Sequence, residues 1–272
     1  MKLLNIACGG RFHSSWVNID FHKTATDVMA VNILKGLPFS DNSFKVAYSS
    51  HFFEHLAQRQ IDFVLSEIYR ILDRGGVLRI VVPDLENLCR EYLDILTKVQ
   101  SDGSYKEKYD WIVIEFLDQL VRTEAGGNMV KIYNDIENGE NKSLRDFILY
   151  RVGVDISMEY FHKNSFMNKI GKISISLMKE KLFYFYILAV SKLIPKKIRE
   201  NIFSKTSIGE KHLWMYDRYS LTSLVEKAGF KDVKIMDYDK SSIHNFNDYL
   251  LDINGDGTSD KGISSLYLEC RK

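Results

Sequence analysis

Between Leu3 and Leu96 the chain alternates short apolar runs with one long amphipathic stretch, an order that few folds satisfy. Leu3–Ala7 is a compact apolar run ended by Gly9 and Gly10, Val17–Asp20 is a second, and Phe44–Ser50 is a third. Phe52–Leu72 carries apolar residues at Phe53, Leu56, Ile61, Val64, Leu65, Ile68 and Leu72. Those spacings of three and four line one helical face, with a break near Gln58–Gln60. Asp73–Gly76 reads as a turn past the helix end, and Val77–Pro83 as a strand covered on both faces. Asp84 reads as the cap of a following helix. Strand and helix in alternation predict an α/β fold with a parallel sheet.

From about Thr97 to Lys211 the alternation stops and the sequence turns helix-like, rich in tyrosine and lysine. It resumes with an amphipathic helix over "DRYSLTSLVEKAGF", closed by Gly229, and two further strands, "DVKIMDYD" and "SSLYLECRK". The expected organisation is therefore one core from 1–96 and 212–272, with 97–211 as a helical insertion or lid. A formal net charge of +1 argues against a general polyanion binder, so no nucleic-acid partner is expected. Cys8, Cys89 and Cys270 are scattered and odd in number, which suits a reducing cytoplasm. Nothing at the N-terminus reads as a signal peptide, and the apolar run Leu182–Val190 is far short of the roughly 20 residues of a membrane span. Lys169–Arg199 holds eight basic residues against the single acid Glu180. Such a stretch can lie on an anionic membrane surface, although a packed helix with lysines facing water is the preferred reading. Oligomeric state is not legible.

Four stretches, "LNIACGGRFHSSWVNID", "LPFSDNSFKVAYSSHFFEHL", "EIYRILDRGGVLRIVVPDLE" and "HLWMYDRYSLTSLVEKAGFKDVKI", stand in an order that resembles the class I S-adenosylmethionine-dependent methyltransferases. More closely, they resemble small bacterial members associated with cell-surface polysaccharide genes. The resemblance covers about Leu3–Tyr92 and His212–Lys272. It implies a Rossmann-like, seven-stranded, mostly parallel sheet with a final antiparallel strand, and S-adenosylmethionine as cofactor. It implies methylation of a sugar, glycan or small-molecule hydroxyl. It places Ala7, Cys8, Gly9, Gly10, Arg11, Asp20, Asn32, Ile33, Ser49 and Ser50 around the cofactor. Where Ala7 stands, the family usually has glycine.

The chemistry of these residues can be read beside the resemblance. Glycines at the end of a first strand let backbone approach a ligand, though Gly9-Gly10 alone also suits a tight turn. Asp20 ends the second strand, where a carboxylate can accept both hydroxyls of a ribose. It follows Gly10 by ten residues rather than about 20, and no G-x-G-x-x-G is present, which weakens a nicotinamide-binding alternative. The spacing also leaves no room for a helix between the first two strands. Asn32 can pair with an adenine edge and Ile33 can supply an apolar face, or Asn32 is an exposed loop residue. His51 is the candidate base or substrate orienter, with a backbone-bonded wall residue as the bland reading.

His51, Glu54 and His55 share one helical face. The pattern is similar to the E-x-x-E-H of metal-dependent ubiquinone and small-RNA O-methyltransferases, with His51 in place of the first acid. No further ligand is identifiable, so Glu54-His55 reads as a helix-start pair and no metal is assigned. A divalent-metal-assisted O-methyltransferase stays an alternative, as does a non-catalytic module holding S-adenosylmethionine or S-adenosylhomocysteine. Trp214, Tyr216 and Arg218 either line an acceptor pocket or anchor the last core helix. "LDINGDGTSD" at Leu251–Asp260 resembles a calcium loop but has Ile263 where the bidentate acid belongs, so a hairpin turn at Asp256-Gly257 is expected.

Overall fold

The computed structural model describes residues 2–138, 141–156 and 211–272, with residues 186, 190, 193 and 195. The basic stretch Lys169–Arg199 and its expected membrane contact lie outside these, save for four residues. Seven strands form one sheet: β1 Leu3–Ile6, β2 Val17–Asp20, β3 Val28–Ala30, β4 Phe44–Ser50, β5 Leu72–Pro83, β6 Lys231–Met236 and β7 Ser265–Arg271. Their order is β3-β2-β1-β4-β5-β7-β6. The first five run parallel, and β7 is antiparallel to both β5 and β6. The expected seven-stranded α/β sheet with one antiparallel strand is the observed one.

Two elements differ from the sequence reading. The strand β3 carries no periodicity, because it is three residues long with Met29 and Ala30 exposed. The Asp73–Gly76 turn lies inside β5 rather than before it. Leu72 pairs with Phe44 and pairing resumes at Val77 opposite Val46, so the residues between form a bulge with Gly75 at φ 71°. As expected, β1 and β2 are joined by turns and not by a helix; Arg11 N–H bonds to Cys8 O at 3.0 Å and Trp16 N–H to His13 O at 3.0 Å.

The amphipathic stretch begins with a single 3₁₀ turn, Phe53–His55, and continues as α1, Gln58–Ile71. Ile61, Val64, Leu65, Ile68 and Ile71 are buried against one sheet face together with Leu221 and Val225 of the C-terminal helix α6, Arg218–Lys227. Each such side chain stabilises the fold by about 1.5–3 kcal/mol. The other face is covered by Trp16, Tyr48, Phe246 and Tyr267. Asp84 caps α2, Leu85–Ser101, by accepting from Glu86 and Asn87 N–H, and Asp217 caps α6 in the same way.

After α2, three helices α3 Lys106–Val121, α4 Gly127–Asn138 and α5 Lys142–Val152 build a separate apolar cluster around Trp111, Ile136, Leu144 and Ile148. Buried Arg151 ties that cluster down: its guanidinium reaches Asn87 at 2.6 Å and Glu115 at 2.7 Å, joining α5 to α2 and α3. Among the described helices none is long and apolar enough to cross a membrane.

Candidate functional site

The bend after β1 is held in an unusual backbone conformation. Ala7 and Gly9 both have φ 54°, in the left-handed region. An alanine there is strained by about 1–2 kcal/mol, a cost that glycine would not bear. The bend is fastened by Asp20 at the end of β2, whose Oδ2 accepts Gly9 N–H at 2.9 Å. Carboxylate and glycine bend therefore stand side by side at the carboxyl rim of the sheet, and the carboxylate keeps acceptor capacity beyond that bond. Cys8 lies between them, its thiol pushed up to about 11 by burial and then by the Asp20 charge.

A cavity of about 470 Å³ opens over this bend. Ala7, Gly9, Gly10, Tyr48, Ser50 and His51 contribute to its wall, with Leu251, Asp260 and Lys261 from the C-terminal loop opposite. Its size is within the 300–1,000 Å³ usual for small-molecule sites. A Cβ built on Gly9 or Gly10 meets no protein atom within 4 Å, so internal packing does not demand glycine at either position. At Gly9 the positive φ does, and at Gly10 the bare backbone leaves room for a ligand to approach. The residues present thus fit a nucleoside-bearing cofactor laid across the bend.

Arg11 closes the cavity. Its guanidinium donates to Leu250 O at 2.7 Å and Ile253 O at 2.5 Å and pairs with Asp260 at 3.0 Å. The loop it grips is the expected hairpin turn: Ile253 bridges Ser259 and Gly257 N–H bonds to Asn254 O at 2.9 Å. Asp252 is withdrawn from any calcium role by its buried ion pair with Arg79 at 2.7 Å.

A second cavity, about 290 Å³, lies between the end of β5 and the helices α3 and α4. Asp84, Glu115, Arg122, Tyr133 and His212 line it, and so does His51. His51 and Lys261 are thus the wall common to both cavities. His51 follows β4 at φ 50°, in the left-handed region that non-glycine residues rarely adopt, and its N–H is bonded to Val81 O at 2.9 Å. Its Nε2 meets Ser265 Oγ at 3.0 Å. Burial, then the charge of Lys261 and the imidazoles of His212 and His55, hold His51 well below its ordinary value. It is therefore neutral at pH 7, with a lone pair on one ring nitrogen.

Beside His51 sits Glu54, fully buried, with its carboxyl pushed up to about 8 by burial. Around it lie His51 Nδ1 at 3.4 Å, His55 Nε2 at 3.8 Å and His212 Nε2 at 4.0 Å. His212 arrives on a strap placed by backbone bonds: His212 N–H to Gln119 O of α3 at 2.9 Å, Leu213 N–H to Glu54 O at 2.7 Å, and Leu85 N–H to Tyr216 O at 2.8 Å.

Other residues singled out from sequence are placed as follows. Asn32 Oδ1 accepts Leu34 N–H at 3.1 Å and caps a 3₁₀ turn, while Ile33 is buried in the main core instead of presenting an apolar face. Ser49 is fully buried beside the same core, and Ser50 lines the bend cavity. Of the aromatic strap, Tyr216 is packed in the core, Trp214 is half exposed, and Arg218 pairs at the surface with Glu86 at 3.0 Å. None of those three lines either cavity; their neighbours His212 and Met215 do. His212 and Lys261 were not singled out from sequence. Each comes from a distant segment, and only folding brings it to His51.

A family model described as "methyltransferase domain" matches residues 4–80. No curated protein matches the chain. Among solved structures, an S-adenosylmethionine-dependent methyltransferase from Archaeoglobus fulgidus is 12% identical with a TM-score of 0.38, covering 100% of this chain and 86% of its own. One from Methanosarcina mazei is 10% identical with a TM-score of 0.39, covering 99% and 92%. One from Thermotoga maritima is 12% identical with a TM-score of 0.34, covering 100% and 82%. These scores lie below the level at which whole folds correspond. The domain match falls on β1 through β5, the strands that carry the glycine bend, Asp20 and His51. The chain is thus similar over residues 4–80 to a methyltransferase domain, and that stretch holds the parallel half of the sheet.

Proposed function

We propose that the chain methylates a hydroxyl of a sugar, glycan or similar polar acceptor, with the cofactor in the bend cavity and the acceptor in the helix-side cavity. The observation that carries this reading is His51, a neutral imidazole in the wall between the two. S-adenosylmethionine, when bound, supplies a methyl group already activated on sulfur. What the chain must do is position and exclude water. Asp20 is suited to the ribose hydroxyls, and the backbone of Ala7–Gly10 to close approach. His51 is suited to take the acceptor's hydroxyl proton at Nε2, in the place where Ser265 Oγ now stands at 3.0 Å. Asp84, Glu115 and Arg122 give the acceptor side a polar lining that fits a hydroxyl-rich ligand. The helices α3 and α4 cover that side as a lid. Scattered thiols at Cys8, Cys89 and Cys270 support a reducing, cytoplasmic setting.

The test uses two readouts. S-adenosylhomocysteine binding is measured by calorimetry, and methyl transfer is followed with a panel of saccharide and small hydroxyl acceptors. His51→Gln should lower turnover by about 100-fold or more, the usual worth of a general base, while product binding stays within about threefold of the parent. Unchanged turnover in that variant removes His51 from the chemistry, and binding of NAD instead of the homocysteine product overturns the whole reading.

The glycines give an independent check. Gly10→Leu should fold with an unchanged melting temperature, because its Cβ meets no protein atom. It should lose product binding by at least about tenfold, since the side chain projects into the cavity. A variant that binds as the parent does would place the cofactor elsewhere.

A further inference from the structure

We infer that Glu54, His55 and His212 form a binding site for one divalent transition-metal ion, with a fourth position open towards the helix-side cavity. The first observation is an unexplained carboxylate. Glu54 is fully buried, and neither of its oxygens has a hydrogen-bond partner. A buried acid without partners is costly and calls for an explanation. The second observation is what surrounds it. Ligand atoms from Glu54, His55 and His212 all lie within 4.8 Å of one another. Zinc-type sites hold such atoms at about 2.0–2.2 Å from the ion, which sets them about 3.4 Å apart in a tetrahedron. The observed separations from Glu54 Oε1, 3.8 Å to His55 and 4.0 Å to His212, need only a small contraction.

The third observation fixes a tautomer. His55 Nδ1 faces Lys211 O at 3.0 Å. A carbonyl can only accept, so Nδ1 carries the hydrogen and Nε2 keeps its lone pair, turned towards Glu54. A ring nitrogen held by a backbone carbonyl while the other faces the ion is the usual outer support of a metal-ligating histidine. The backbone of His212 is held by its main-chain N–H bond to Gln119 O, so α3 helps to place the residue. Two imidazoles with one carboxylate suit zinc, iron, cobalt or nickel rather than calcium or magnesium. Three protein ligands leave a place for water or for a substrate oxygen, as in sites that act on a bound group. His212 and His51 both line the helix-side cavity, which puts that place where an acceptor would enter.

The site is independent of the methyl-transfer reading and is tested separately from it. Protein dialysed against chelator is titrated with Co²⁺ alone, and binding is followed by visible absorption and calorimetry. One saturable equivalent with visible d–d bands, displaced by Zn²⁺, is expected. Glu54→Gln keeps shape and volume but lacks the charge, and His212→Gln lies on the strap outside the sheet core. Each should weaken cobalt binding by more than the roughly 10–100-fold that loss of an outer support costs. Both should keep the parent's circular dichroism spectrum and a cooperative thermal transition, which shows that they are folded. Absence of a saturable site, or cobalt affinity unchanged in folded Glu54→Gln, overturns the inference whatever the outcome for methyl transfer.

Discussion

Replacing Arg79 with methionine will cost about 3–5 kcal/mol of folding stability, the penalty for breaking a buried ion pair from one side. That is a large part of the 5–15 kcal/mol available to a domain. Arg79 sits on β5 with no exposed surface. Its guanidinium reaches Asp252 at 2.7 Å, Glu269 at 2.8 Å and Lys240 O at 2.9 Å, between the rings of Phe246 and Tyr267. Methionine fills the space but leaves two buried carboxylates facing each other's surroundings. Burial raises Asp252 even with the arginine present. Burial also pushes Glu269 up, but bonds from Ser241 and Ser242 and the arginine charge outweigh it and hold Glu269 below its ordinary value. Glu269 therefore contributes stability above its unfolded pKa that is lost as pH falls through its folded one. In the variant both carboxylates are easier to keep protonated than ionised. Urea denaturation should thus show the gap between parent and variant narrowing as pH is lowered from 7 towards 4. Adding Asp252→Asn and Glu269→Gln to Arg79→Met should restore much of the loss. A variant as stable as its parent at pH 7 would show that the triad is not carrying the fold.

The second large effect belongs to Asp20. Asp20→Ala should weaken S-adenosylhomocysteine binding by about 100-fold or more. Two hydrogen bonds from ribose hydroxyls to a carboxylate are worth about 1.5–3 kcal/mol each, and 1.4 kcal/mol is a factor of ten. The same change also frees Gly9 N–H, which Asp20 now holds at 2.9 Å, so the bend loses its fastening. Asp20→Asn keeps one acceptor oxygen and should fall between. Calorimetry separates the three proteins, and equal affinity in all of them would move the nucleoside away from β2.

How much of this was legible in the sequence depends on distance along the chain. Local periodicity showed β1, β2, β4, α1, α2, α6 and both C-terminal strands, because each pattern is complete within a few residues. It missed β3, whose three residues have no room for a pattern. It misplaced the Asp73–Gly76 turn, because whether glycines end a helix or bulge a strand is decided by the neighbour across the sheet. It read "VLRIVVP" as apolar and passed over Arg79, whose carboxylate partners lie 173 and 190 positions away. The Glu54 cluster was half visible for the same reason: Glu54 and His55 are neighbours on one turn, while His212 comes from a segment more than 150 positions further on.

The clamp of Arg11 on the loop at Leu250–Asp260 has a consequence for synthesis. Arg11 is made 239 residues before the Leu250 carbonyl that it grips, so one wall of the pocket, and the strand between β5 and β6, follow the bend late in synthesis. A nascent chain that stops short of this loop can collapse β1 to β4 but has no finished cradle to offer. Ligand cannot template the early steps, and the β5 edge stays unpaired until β7 is made.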